Sequence, residues 1–182
     1  SMKKFGVVYT PTSIIDYILS GIDFFLNSTF IHNLEPNFSS NALINPNVYY
    51  QDPAAGNGEF PIRLIKNSAA DLTKLTKSDA DGLFSRLYCF EILEKHFNSL
   101  KNGLNTLRND RLDQKNNSLN IFNINTLANP KQNPLPAVKS KELLVIFGNP
   151  PYSVSTANKG TTITAMIEDY KDGIEPTGTK RI

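Results

Sequence analysis

An α/β fold built on a parallel β-sheet is predicted by two features of the sequence. Four short β-rich or apolar segments are separated by helical patterns or polar loops within its 182 residues. Each segment ends in a small group of polar, glycine or proline residues, and parallel sheets hold their ligands at the carboxyl ends of their strands. The length suits a single domain.

The individual elements follow from periodicity and from capping residues. Thr10 can cap a first helix, and Pro11 suits its first position, where a missing N–H costs nothing. The expected elements are a helix from 11, a loop at 27–46, a strand at 48–51, a turn at 52–58, a helix from 59, a polar insert at 67–84, a strand at 87–90, a helix at 93–107, a strand at 119–122, a loop at 128–140, a strand at 143–147 and a last helix near 162–170. The continuous apolar run at 143–147 is typical of a strand buried on both faces.

Composition excludes several classes of protein. A hydrophobic fraction of 40% is enough for a packed core. Cys89 is the one cysteine of the sequence, so an internal disulfide framework is excluded and a cytoplasmic protein is expected. The apolar stretches are too short to cross a bilayer, so no membrane partner is expected. The net charge of +2 gives no support for nucleic-acid binding by itself.

Two candidate ligand-binding features follow the first two predicted strands. Gly56 and Gly58 lack a Cβ, so the turn can bend sharply and approach a ligand closely. Asp52 at its head suits a cationic ligand better than a phosphate. Glu91, at the tip of the second strand, can accept hydrogen bonds from both ribose hydroxyls of an adenosine. A structural turn and a solvated glutamate at a helix start are the plainer interpretations, and the pair together favours a site.

The sharpest signal is Asn149-Pro150-Pro151-Tyr152, directly after the last predicted strand. The prolines hold the residues before them extended and donate no hydrogen bond. The corner therefore presents two acceptors, the Asn149 side-chain oxygen and the Pro150 carbonyl, beside the flat face of Tyr152. An aromatic amino group is a poor nucleophile because its lone pair is delocalised into the ring. Two fixed acceptors for its N–H groups can free that lone pair, and such preorganised dipoles are a large catalytic term.

These motifs, with Tyr9-Thr10-Pro11 near the start, resemble the S-adenosylmethionine-dependent methyltransferases that act on adenine N6 in DNA. Their order resembles the gamma arrangement, in which the cofactor motifs come first. The stretch 149–170 is similar to the methyltransferase region of large single-polypeptide restriction–modification enzymes. The resemblance implies a Rossmann-like fold with a seven-stranded sheet, S-adenosyl-L-methionine as cofactor, double-stranded DNA as partner, and a bacterial cytoplasmic location.

The resemblance also implies a role for each matching residue. Tyr9, Thr10 and Pro11 would line the methionine end of the cofactor, and the turn under its methionine part would be formed by Asp52, Pro53, Ala54, Gly56 and Gly58. Glu91 would hold its ribose. Ile92 and Asn125 would contact its adenine. Asn125 stands where many relatives have an aspartate. Asn149 and Pro150 would receive the target amino group, stiffened by Pro151, and Tyr152 would stack on a base flipped from the duplex. The implied methyl transfer is direct and needs no metal, so His96 is interpreted as a structural residue.

About four of the seven strands can be assigned. Residues 1–46 are expected to form an N-terminal helical segment and residues 47–182 the cofactor-binding core, truncated before the last strands and a target-recognition domain. The sheet edge beside 143–147 would then favour non-native self-association, and this piece alone would methylate DNA weakly or not at all. Two alternatives stay open. One is a methyltransferase acting on protein glutamine or on RNA amino groups, and the other is a non-catalytic cofactor-binding module.

Overall fold

The computed structural model describes residues 9–31, 42–68, 77–109, 119–126 and 134–150. Its helices are α1 (Thr12–Phe25), α2 (Glu59–Ser68), α3 (Lys77–Ser85) and α4 (Glu94–Asn109), with a π-helical turn at Leu26–Ile31 and a 3-10 turn at Ala42–Ile44. Its strands are β1 (Val48–Asp52), β2 (Leu87–Phe90), β3 (Asn120–Phe122) and β4 (Leu143–Ile146).

The four described strands form one parallel sheet in the order β3-β2-β1-β4. Tyr50 of β1 pairs with Leu87 of β2, and Val48 pairs with Leu143 of β4. The predicted α/β fold with a parallel sheet is therefore confirmed, and it is consistent with a Rossmann-like architecture. Because β1 lies between β2 and β4, the loops that follow these three strands emerge side by side.

Helices α1, α2 and α4 bury their apolar faces in a common core with the sheet. The core includes Ile15 and Leu19 of α1, Tyr50 of β1, Phe60 and Leu64 of α2, and Leu100 and Leu104 of α4. These positions recur three or four residues apart along each helix, as expected for one buried face. None of the described helices is long and apolar enough to cross a membrane.

An ion pair fastens α1 to α2. The Arg63 guanidinium donates through Nε and Nη2 to the two carboxylate oxygens of Asp16, at 2.5 and 2.7 Å. Asn67 donates a third hydrogen bond to the same carboxylate at 3.2 Å. These hydrogen bonds, that of Arg63 above all, hold the pKa of Asp16 below its ordinary value. The pair fixes α1 beside the helix that follows the glycine turn.

Three details of the sequence-based interpretation are wrong. Thr10 does not cap α1. Pro11 holds the cap position instead, and its carbonyl receives the N–H groups of Ile14 and Ile15. The insert at 67–84 is not polar throughout, since its described part at 77–84 belongs to α3, which buries Leu83 and Phe84.

The third correction concerns the strand expected to be buried on both faces. Residues Leu143, Leu144 and Val145 of β4 are half-buried, and Ile146 is 62% exposed. The apolar run correctly predicted a strand. Within the described sheet β4 lies at an edge and pairs only with β1, which leaves it less buried than a central strand. The last predicted helix near 162–170 lies outside the described residues.

Candidate active site

The turn after β1 is tied to the neighbouring strand and to α4. The Ala55 N–H donates to the Phe90 carbonyl at the end of β2, at 2.8 Å. Gly58 has a φ of +95°, and a Cβ at this position would lie 2.7 Å from Cδ1 of Leu100. A side chain there would require the Leu100 side chain to move, and it would be strained at this φ whatever the space. The turn therefore depends on glycine for both its backbone angle and its packing.

Glu91 joins three parts of the site. The residue is 7% exposed, and its carboxylate accepts the N–H of Gly56 at 2.9 Å and the N–H of Leu93 at 2.7 Å. The Glu91 N–H donates to the Phe122 carbonyl at 3.0 Å, which connects β2 to β3. A carboxylate has about four acceptor positions, so two remain beyond these two N–H groups. The buried His96 lies behind it, with Nδ1 4.0 Å from Oε1 of Glu91.

Asp52 is buried at the junction of β1 and β4. It is 1% exposed, and its Oδ1 accepts the Ala54 N–H at 3.1 Å. A Cβ at Gly148, just past the end of β4, would lie 2.6 Å from the same oxygen. The backbone after β4 thus passes directly against the Asp52 carboxyl. Burial, reinforced by the nearby carboxylates of Glu91 and Glu59 and opposed by the Ala54 hydrogen bond, raises the pKa of Asp52 to about 7.

The start of the described chain bridges the two motifs. Asn149 Nδ2 donates to the Thr10 hydroxyl at 3.0 Å. The neighbouring Tyr9 hydroxyl accepts a hydrogen bond from Asn57 Nδ2 in the glycine turn, at 3.3 Å. Two consecutive residues therefore contact the glycine turn and the corner after β4. Thr10 precedes Pro11, which holds the cap position of α1, and its hydroxyl instead accepts the hydrogen bond from Asn149.

The remaining predicted site residues surround this junction in different ways. Thr126 donates to the Pro53 carbonyl at 3.3 Å, which brings the segment after β3, with exposed Asn125, to the turn. Ile92 is 48% exposed, so its side chain is accessible next to Glu91. Pro150 is exposed at the corner. Pro151 and Tyr152 lie outside the described residues, and the roles inferred for all these residues stay predictions.

Sequence reasoning overlooked two contributors to this junction. Gly148 was passed over, although a glycine between a strand and a proline corner commonly marks a close backbone approach. The Thr10–Asn149 hydrogen bond had no sequence signal, since 139 residues separate its partners.

Comparison with known proteins gives matches by structure alone. Neither a protein-family model nor a curated protein matches the chain. The ATP-dependent Type ISP restriction-modification enzyme LlaBIII bound to DNA matches with a TM-score of 0.68 and 19% identity over 96% of this chain and 13% of that one. A nuclease-deletion mutant of the Type ISP enzyme LlaGI, in complex with a DNA substrate mimic, matches with a TM-score of 0.64 and 18% identity over 91% and 15% of the two chains.

A third match is the DrdV–DNA complex, with a TM-score of 0.53 and 21% identity over 77% of this chain and 12% of that one. Similarity at these levels of identity establishes a shared fold. The chain spans between 12% and 15% of the matched chains, so it corresponds to a small part of each.

Replacing Gly148 by alanine tests the close approach at Asp52. The new Cβ would overlap Oδ1 of Asp52 at a φ of +145°, so we expect G148A to lower the free energy of unfolding by about 2–4 kcal/mol in urea titrations. Gly21 of α1 is the matched control, since a Cβ there meets nothing within 4 Å. G21A should raise stability by about 0.5–1 kcal/mol. Equal stability of G148A and the unaltered chain would contradict the contact.

The raised pKa of Asp52 predicts a pH dependence of stability. The unfolded chain ionises Asp52 near pH 3.8, whereas the folded chain keeps the proton to about pH 7. The folded state binds more protons between these values, so its stability falls as pH rises through this window. Relative to D52N, the unaltered chain should lose on the order of 4 kcal/mol between pH 3 and pH 8. A stability difference that stays constant with pH in urea titrations would show that Asp52 ionises normally.

Proposed function

We propose that this chain binds S-adenosyl-L-methionine and catalyses methyl transfer to adenine N6 in DNA, as part of a restriction–modification enzyme. The observation that carries the proposal is the contact between Asp52 and Gly148. It brings the glycine turn and the Asn149 corner, about 90 residues apart in sequence, to one place. A donor site and an acceptor site for group transfer need this adjacency.

The residues at the turn fit a cationic adenosine ligand. The segment 52–58 contains no lysine or arginine, and the carboxyl groups of Asp52 and Glu91 lie beside it. A phosphate would be repelled here, whereas an ammonium or sulfonium group is favoured. Glu91 has acceptor capacity left for ribose hydroxyls, and the missing Cβ at Gly56 leaves the backbone of the turn accessible there. When bound, S-adenosylmethionine supplies an electrophilic methyl group.

Residues of the chain orient the nucleophile in this proposal. The Asn149 side-chain oxygen and the Pro150 carbonyl accept the two N–H groups of an adenine amino group. Accepting both hydrogens pulls the nitrogen out of conjugation and turns its lone pair towards the donor site. The methylated amine then loses its proton readily to water, so no side chain is required as a base. The described part of the corner is half-buried at Asn149 and exposed at Pro150, which suits a residue that must meet a substrate.

The structural matches support the biological setting. LlaGI and LlaBIII are described as restriction-modification enzymes, and all three matched structures contain DNA or a DNA mimic. The similarity in fold extends over 96% of this chain in the match to LlaBIII. Target recognition and any nuclease or ATP-driven function belong, in this proposal, to the rest of a longer polypeptide.

Cofactor binding can be tested on the purified chain. We expect isothermal titration with S-adenosylmethionine to show binding, and E91Q to weaken it by about 10- to 100-fold, because a charge-assisted hydrogen bond is worth about 1.5–3 kcal/mol. Glu94 is the matched control, since it is exposed in the first turn of α4. E94Q should bind as the unaltered chain does. Circular dichroism must show each variant folded at the titration temperature, and equal affinity of E91Q would remove the ribose role.

Catalysis is tested with the natural gene product that contains this chain. N149A should lower kcat by about 100- to 1,000-fold while cofactor affinity stays unchanged, since it removes one preorganised acceptor. Asn102, exposed on α4, provides the control variant N102A. Duplex DNA, RNA and glutamine-containing protein are offered in parallel, and N6-methyladenine is measured by mass spectrometry. Methylation of RNA or protein instead of DNA would support an alternative, and an unaltered N149A would support a non-catalytic module.

A further inference from the structure

We propose that Thr10 is a positioning residue for the Asn149 amide, in addition to any contact it makes with the cofactor. The inference rests on the proposed function. It starts from the hydrogen bond in which Asn149 Nδ2 donates to Oγ1 of Thr10 at 3.0 Å. In this orientation the amide nitrogen faces Thr10, and the amide oxygen lies on the other branch of the side chain.

The orientation of the amide decides whether the corner can work. Asparagine carries an acceptor and a donor at the two ends of one planar group, and rotation of that group exchanges them. With the oxygen towards the target, the amide accepts an N–H of adenine N6. With the nitrogen there, two donors face each other and the lone pair of N6 is not freed. A partner that restrains Asn149 therefore contributes to catalysis without touching the reacting atoms.

Thr10 is held firmly enough to act as that partner. A β-branched side chain has few χ1 states, so its hydroxyl occupies a defined position. On one side, the Tyr9 hydroxyl accepts a hydrogen bond from Asn57 in the glycine turn at 3.3 Å. On the other side, Pro11 begins α1, which the Asp16–Arg63 pair fastens to α2. The bridge from Tyr9 to Pro11 thus fixes an acceptor group at the nitrogen end of the Asn149 amide.

Kinetics of the natural gene product separate positioning from cofactor binding. T10V keeps the shape of the side chain but removes its hydroxyl, and we expect kcat to fall by about 10- to 100-fold, as for a small misplacement of a reacting group. kcat is measured at saturating S-adenosylmethionine, so that a change in the Kd of the cofactor does not affect it. T10S should recover most of the activity, because it retains the hydroxyl. T12V makes the same chemical change at the exposed start of α1 and should leave kcat unaltered.

Two kinetic results would overturn the inference while the proposed function stands. One is T10V activity equal to that of T12V. The other is weakened cofactor binding with kcat restored at saturating S-adenosylmethionine, which would make Thr10 a cofactor contact only. If the unaltered gene product forms no N6-methyladenine, the proposed function fails and the catalytic role of Thr10 fails with it.

The hydrogen bond itself is measured without activity. In a ¹⁵N-labelled sample of the purified chain, the Asn149 side-chain amide signal is assigned by its loss in N149D. We expect slow exchange of this NH₂ group with solvent in the unaltered chain and in T10S, and faster exchange with a changed chemical shift in T10V. A signal that is the same in T10V and the unaltered chain would overturn the positioning role, whatever the enzyme assay shows.

Discussion

A buried carboxyl group between two chain segments organises the site. Asp52 ends β1, receives the Ala54 N–H from its own turn and packs against the backbone at Gly148 beyond β4. An ionised carboxylate in this position would be expensive, because burial removes water that nothing fully replaces. This unfavourable burial of charge is why the pKa of Asp52 is raised to about 7. A ligand cation above the turn would favour the ionised form, so the junction that holds the two loops together is also sensitive to the charge of what binds there.

The parallel sheet makes that junction possible. Because β1 lies between β2 and β4 and all three strands are parallel, the loops that follow them leave the sheet side by side at the carboxyl ends of the strands. Glu91 then connects them laterally, since its side chain accepts the N–H of Gly56 and its own N–H reaches the Phe122 carbonyl of β3. Two acidic side chains with different surroundings result. Asp52 is almost fully enclosed and packs against the backbone at Gly148, whereas Glu91 binds two backbone N–H groups and has further acceptor positions.

The N-terminal bridge completes the site from outside the sheet. Tyr9 contacts the glycine turn and Thr10 contacts Asn149, so one short segment lies across both halves. Its position depends on α1, which the Asp16–Arg63 pair holds on α2. A displacement of α1 would therefore move the Tyr9 and Thr10 hydroxyls together. The glycine turn and the Asn149 amide are therefore linked through the hydrogen bonds of this segment, in addition to their link through the sheet.

The sequence by itself determined the class of fold, the positions of the four described strands and the glycine turn at 52–58, because periodicity and glycine or proline placement act locally. It also indicated Glu91 and Asn149 as candidate site residues, since both lie just past the end of a predicted strand. Only the tertiary structure decided that the apolar run of β4 is half-buried, with Ile146 exposed, and not buried on both faces, because such a run looks alike at an edge and in a sheet centre. It alone decided that Thr10 bonds to Asn149 instead of capping α1 and that Gly148 meets Asp52. Those contacts join residues far apart in sequence, and no local pattern predicts which distant residue a hydroxyl will bond to or which side chain will pack against a glycine.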